Sequence, residues 1–207
     1  MESFDRNIET ERLSLRVPTM DEQYGLWLIL RQERVNKWYM PTPKRFKGDR
    51  AAFQESLNHW DDMERFYRMK VDDIESEGNK YTWSIFLKDS KEVIGQMTVQ
   101  PHPDYPNNLK IRDVGWFINP DYQGCGYAYE AATAILDFMF EKTDIVEIKT
   151  SAAQINVGSW KLMEKLGFER VGEKESTYLD DEGENLAGYC YEITKEKYLA
   201  HKDVKKL

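Results

Sequence analysis

Apolar residues recur along the chain with two different periods, and the switches between them mark out the elements. Thr10 to Arg16 alternates around Leu13 and Leu15, which suits an opening strand. Thr19 and Glu22 then form a capping-box pattern ahead of Tyr24, Trp27, Leu28 and Leu30, and so predict a helix there. Asn36 to Gly48 contains Pro41, Pro43 and several basic residues, and reads as a loop. From Asp49 onward, Phe53, Leu57, Trp60, Met63 and Tyr67 return at helical spacing and predict a long amphipathic helix.

The period then shortens. Tyr81 to Leu87 and Glu92 to Gln100 read as two strands joined by the Asp89-Ser90-Lys91 turn. Pro101, Pro103 and Pro106 interrupt the pattern, and Ile111 to Ile118 resumes it as another strand. After Asn119-Pro120 and a glycine-bearing loop, Ala128, Ala131, Ala132, Ile135 and Met139 fall on one face of a third helix. Ile145 to Ala152 is strand-like, and Asn156 to Leu166 is a short helix closed by Gly167. Phe168 to Lys174 and Ala187 to Ile193 make a last pair of strands across the acidic stretch Asp180 to Glu184. The order β-α-α-β-β-β-α-β-α-β-β describes an α/β chain, a mixed sheet of about seven strands with about four helices on its faces. No repeat or low-complexity linker divides it, so residues 8–195 are expected to form one domain and 196–207 a charged tail. The stretch from Thr194 sets five lysines against Glu196 and Asp203, and reads as a solvated helical or frayed terminus.

Composition narrows the function classes. Apolar residues at 41% and aromatics at 13% are enough to fill a core. A net charge of −8 argues against a general nucleic-acid binder and favours cationic partners such as amines. Cys125 and Cys190 cannot build a disulfide framework or a four-cysteine zinc site, and His59, His102 and His201 show no ligand spacing, so no metal is expected. The first residues lack the basic-then-apolar pattern of a signal peptide, and stretches such as Leu26 to Leu30 are too short to cross a bilayer. A soluble, cytoplasmic protein with no membrane partner is the expectation.

The most informative stretch is Gln123-Gly124-Cys125-Gly126-Tyr127-Ala128, between a strand and a helix. Two glycines there permit backbone conformations closed to other residues, and exposed amides at a helix start favour an anion. A dinucleotide fingerprint is excluded because Tyr129 stands where it needs glycine or alanine, and no Gly-Lys-Ser/Thr follows to make a P-loop. A ligand-free strand-to-helix turn is the competing explanation. About 30 residues on, beyond another strand, Asn156-Val157-Gly158-Ser159 opens the helix that ends Glu164-Lys165-Leu166-Gly167-Phe168; asparagine there also serves simply as a helix cap.

Q-x-x-G-x-A followed by N-x-x-S-x-x-x-x-E-K-x-G-F resembles the acetyl-CoA-binding core of the GNAT N-acetyltransferase superfamily. The opening Ile8 to Arg16 and the strand Asp113-Val114-Gly115-Trp116 are similar to the branch that holds the ribosomal-protein N-terminal acetyltransferases. The resemblance covers roughly residues 8 to 195 and implies a mostly antiparallel twisted sheet with a splayed central strand pair. It also implies acetyl-CoA as co-substrate, with Gln123, Gly124, Cys125, Gly126, Tyr127 and Ala128 cradling the diphosphate. Trp116, Phe117 and Ile118 would pair with the pantetheine arm, an amide at or near Ile118 would polarise the thioester carbonyl, and Asn156 would contact the arm. The strand bearing Asp113 would splay from that bearing Thr150 and Ser151.

The reaction implied is direct attack by an amine. Deprotonating a lysine-like amine at pH 7 costs about 4.6 kcal/mol, and a protein α-amine only about 1.4. A carboxylate base therefore helps most with an aliphatic amine, and Asp113 occupies the position where related enzymes often carry glutamate. Glu173 and Glu175 are lesser candidates. The tyrosine that often protonates the departing thiolate is replaced here by Met163, which leaves Ser159 as the candidate donor. Cys125 as a nucleophile lacks a neighbouring histidine. The acceptor is expected to be a small-molecule amine or a peptide N-terminus, held against Trp38 to Gly48, the long helix and Thr177 to Asn185. The alternative is a non-catalytic acyl-CoA-binding module, and no sequence feature demands the dimer common among relatives.

Overall fold

The computed structural model describes residues 5–39, 49–59, 81–179 and 185–204. Two short strands open the chain, β1 (Ile8–Glu9) and β2 (Leu13–Arg16), followed by α1 (Gln23–Leu30), α2 (Glu33–Tyr39) and α3 (Arg50–Ser56). Then come β3 (Tyr81–Leu87), β4 (Val93–Pro101), β5 (Ile111–Ile118), a 3-10 turn at Pro120–Tyr122 and α4 (Tyr127–Lys142). The remainder is β6 (Glu147–Ala153), α5 (Val157–Leu166), β7 (Glu169–Leu179), β8 (Asn185–Thr194) and α6 (Lys195–Val204).

The eight strands form one sheet in the order β1-β2-β3-β4-β5-β6-β8-β7. Every neighbouring pair is antiparallel except β5 and β6, which run parallel. The expected mixed, mostly antiparallel α/β sheet is therefore present, with one strand and two helices more than the pattern counted. The extra strand arises because Thr10 is a turn residue. Its N–H donates to the Leu13 carbonyl at 3.0 Å and its Oγ1 accepts from the Leu13 N–H at 2.9 Å, which folds the opening segment into a hairpin.

One extra helix, α2, includes Asn36 to Tyr39, the start of the segment expected to be a loop. Asn36 is fully buried, and its amide donates to the Arg31 carbonyl and to Gln54 Oε1, so tertiary bonds override its modest helix propensity. Residues 40–48 lie outside the described residues. Asp49 caps α3 by accepting from the Ala52 N–H, and Phe53 and Leu57 are buried as the spacing requires. Trp60, Met63 and Tyr67 of the expected long helix fall outside the described residues.

Two hydrophobic clusters sit on opposite faces of the sheet. The larger packs Ala131, Ile135, Met139 and Phe140 of α4 against Leu13, Trp83, Met97, Val114 and Ile148. The smaller packs Leu26, Trp27, Ile29 and Leu30 of α1 with Val35, Phe53, Leu57 and Phe117. Trp27 Nε1 donates to the Leu57 carbonyl at 2.9 Å and so ties α1 to the end of α3. Thr19 and Glu22 meet, with Glu22 accepting from the Thr19 N–H and hydroxyl at 2.8 and 2.6 Å. But α1 starts only at Gln23, so Glu22 rather than Thr19 takes the cap position and makes no side-chain capping bond.

The charged stretch Lys195–Val204 is helical. In α6, Tyr198 is buried against Phe140, and its hydroxyl donates to Asp137 at 2.9 Å. Burial, then the neighbouring Asp137 carboxylate, push that phenol well above its ordinary pKa. Gly167 takes the left-handed conformation (φ 95°) that ends α5, and a Cβ there would meet the His201 ring at 2.8 Å. Among the described residues, no helix is long and apolar enough to cross a membrane.

Candidate active site

The sheet opens at its centre. Strands β5 and β6 pair only at Ile111 with Glu147 and Arg112 with Ile148, and beyond those two pairs the ladder stops. Across the gap, Thr150 Oγ1 donates to the Val114 carbonyl at 2.9 Å. Antiparallel pairing on either side, β4 to β5 and β6 to β8, continues past the point of divergence. The parallel junction is thus the seam where the sheet splits, and a cavity of about 1340 Å³ runs through it.

One wall of the cavity is the loop between β5 and α4. Asn119 caps the 3-10 turn by accepting from the Asp121 N–H, and Gln123 Nε2 folds back onto the Ile118 carbonyl at 3.0 Å. Gly124 and Gly126 both have left-handed backbones, φ 79° and 82°, so the sequence's two glycines meet a real conformational demand. A Cβ at Gly124 would meet nothing within 4 Å, which leaves open space over that backbone. α4 starts at Tyr127, and its first residues line the same cavity. The opposite wall is the start of α5. Asn156 holds the cap position there, its side chain makes no capping bond, and the residue lines the cavity. Ser159, one turn in, is half-buried and lines the cavity too. Two helix N-termini therefore face one open space, a favourable place for a diphosphate.

The floor beyond the seam is polar. Gln96, Thr98 and Gln100 alternate along β4 and face the cavity, opposite Asp113 and Gly115 of β5. Gln100 Nε2 donates to Asp113 Oδ2 at 3.4 Å, and Thr82 shares a hydrogen bond with Thr98. Burial raises the Asp113 carboxyl above its ordinary pKa, against the opposing hydrogen bonds from Gln100 and Thr150. A half-buried carboxylate with that shift has the profile of a base for an amine proton.

Of the residues expected to form the site, Asp113, Trp116, Phe117, Ile118, Gln123, Gly124, Gly126, Tyr127, Ala128, Asn156 and Ser159 all line this one cavity. Cys125 does not line it: its side chain is exposed and its thiol rests on the Gln123 carbonyl. Glu173 and Glu175 lie exposed on the edge strand β7, away from the cavity lining. Met163 is buried in the core and also lines the cavity. Most of the expected acceptor segments, residues 40–48 and 180–184, lie outside the described residues. Pattern reading missed Gln96, Thr98, Gln100 and His102. Their alternation was visible, but a polar strand face ordinarily looks to water, and here it looks into a cleft. Nδ1 of His102 accepts from the Asp104 N–H, a buried and satisfied histidine. Among the described residues, no cluster of histidine, cysteine and carboxylate side chains is arranged to hold a metal ion.

A split sheet, a glycine-bearing strand-to-helix loop and a second helix N-terminus thus surround one cavity. Residues 12–169 match the family model described as acetyltransferase (GNAT) domain, and the chain belongs to that family. It is 40% identical over 166 residues to the uncharacterized N-acetyltransferase YnaD of Bacillus subtilis (strain 168), covering 80% of this chain and 84% of that protein. It is 30% identical over 118 residues to an L-2,4-diaminobutyric acid acetyltransferase of Vibrio cholerae, covering 54% of this chain and 66% of that protein. The solved structure of RimL, a ribosomal L7/L12 alpha-N-protein acetyltransferase in complex with coenzyme A, shares the fold. Its TM-score is 0.72 at 14% identity, over 91% of this chain and 98% of that one.

Proposed function

We propose that this chain moves an acetyl group from acetyl-CoA to a primary amine, on a small molecule or a protein N-terminus, by direct attack in a ternary complex. The observation that carries this is the single cavity joining the Gly124–Ala128 loop to Asp113 through the split between β5 and β6. Acetyl-CoA, the co-substrate of the family, supplies the activated thioester when bound. The amides of Gly124 to Ala128 and the start of α5 hold its diphosphate, and the edge of β5 with Asn156 holds its pantetheine arm. An amide at or near Ile118 polarises the carbonyl.

Asp113 accepts the amine proton, directly or through one water, and its raised pKa brings it nearer the amine in basicity. Ser159 Oγ offers a proton toward the departing sulfur; Met163 has none to give. Relatives named for a diamino acid and for a protein α-amine support both acceptor classes. The test is free-thiol release from acetyl-CoA across a panel of small amines and peptide N-termini, with turnover expected for at least one class. Tight coenzyme binding with no turnover across the whole panel would favour the non-catalytic module that Met163 leaves open.

A further inference from the structure

We infer that Arg12 is a positioning residue for the diphosphate cradle, acting from the far end of the chain on the Cys125–Gly126 peptide. The inference rests on the coenzyme-A assignment of the loop. Arg12 Nη1 donates to the Cys125 carbonyl at 3.0 Å, from the turn between β1 and β2. Across a planar trans peptide the C=O and the next N–H point in opposite directions. Holding the Cys125 oxygen on the outer side therefore turns the Gly126 N–H inward, toward the cavity that Gly126 lines. Gly126 has no Cβ to restrict its φ, here 82°, so the orientation of that peptide depends on such a contact.

The guanidinium, partly exposed, is held at two of its nitrogens and across one face. Its Nε donates to Glu130 Oε2 at 2.7 Å, and its ring-facing side lies 4.4 Å from the centre of Tyr127. Glu130 Oε1 takes two further bonds from the same turn, from the Arg12 N–H at 2.8 Å and the Thr10 hydroxyl at 2.6 Å. This arrangement also solves an electrostatic problem. Glu130 sits in the first turn of α4, where a carboxylate favours the helix but repels a diphosphate. Burial raises its pKa, yet the bonds from Thr10 and Arg12 outweigh that and hold it below the ordinary range, so it stays ionised. Arg12 cancels the charge at the place where the anion must arrive.

The experiment compares coenzyme A, dephospho-coenzyme A and pantetheine, titrated into the full-length wild-type chain, Arg12→Ala and Arg12→Lys, with melting temperatures alongside. Dephospho-coenzyme A keeps the diphosphate and pantetheine lacks it. Arg12→Ala should weaken both diphosphate ligands about tenfold and leave pantetheine unchanged, the scale of one charge-assisted hydrogen bond. Arg12→Lys keeps the charge opposite Glu130 but cannot fork to Cys125, and should lose about threefold, again only with the diphosphate ligands. Unchanged affinity for coenzyme A in both variants overturns the inference, as does an equal loss for pantetheine. A wild-type chain that binds none of the three overturns the coenzyme-A assignment itself, which separates the two failures.

Discussion

The two ends of the cavity are made of different material. At the end proposed for the cofactor, the wall offers backbone: the stretch around Gly124 and Gly126 and the starts of α4 and α5. At the end proposed for the acceptor it offers side chains: Gln96, Thr98, Gln100 and Asp113 on a sheet floor. A backbone cradle needs glycines at fixed spacing and a helix behind them, and tolerates any residue between. A side-chain floor needs only that certain alternate positions be polar, which many solvent-facing strands also satisfy. The first therefore leaves a mark in the sequence, and the second hides in ordinary alternation.

Substitutions at each end test that division. Asp113→Asn removes the base while keeping shape, and kcat for an aliphatic amine should fall by about 10²–10⁴ with little change in the KM for acetyl-CoA. Because burial raises the Asp113 pKa, the acid limb of the wild-type rate profile should lie above the ordinary aspartate value of 3.8, and should disappear in the variant. A rate profile identical in wild type and Asp113→Asn would remove the base from the acceptor end.

Gly126→Val should do the reverse, weakening coenzyme binding by about 10² or more, since φ 82° strains any side chain and a Cβ would approach Arg12 to 3.4 Å. Full coenzyme affinity in that variant, measured by titration, would show that backbone does not make the cofactor end. Ser159→Ala should lower kcat about tenfold with the KM for the amine unchanged, if the hydroxyl donates toward the sulfur. A change confined to KM would make Ser159 a binding group instead.

The smallest effect is on stability. The Glu130 carboxylate has a lowered folded-state pKa, so its contribution is present above the unfolded value of 4.5 and is lost as the pH falls through the folded one. Glu130→Gln should therefore cost about 1–2 kcal/mol at neutral pH and much less once the pH has fallen through the folded-state pKa, read as the gap between the two melting temperatures. A gap that stays constant with pH would mean that packing rather than charge holds the β1–β2 turn on α4.

Much of the fold was legible because periodicity and turn chemistry agree. Leu13 and Leu15, the α4 stripe from Ala131 to Met139 and the Gly167 stop all stand where their spacing put them. The departures have local causes. Thr10 spends its hydroxyl on a turn that an alternating pattern cannot distinguish from a strand start. Asn36 becomes helical because Gln54 and Arg31 satisfy it from 18 and 5 positions away. Lys195 to Val204 reads as a solvated tail, since its one deeply buried group, Tyr198, gives too little periodicity to see. In the site, the loop was readable as a glycine-bearing turn before a helix, and Gly124 and Gly126 do take left-handed backbones beside the cavity, whereas Cys125 points away from it. The contacts of Arg12 were not readable, because Cys125 and Glu130 are supplied by a distant part of the chain.

The two-pair junction between β5 and β6 has a mechanical consequence. In an ordinary sheet, prising adjacent strands apart breaks a backbone bond at every second residue. Here, beyond Arg112, no backbone pair joins β5 to β6, and the Thr150 hydroxyl reaches across to Val114 and Asp113. Opening that gap therefore costs few backbone bonds, while the antiparallel ladders on either side are kept.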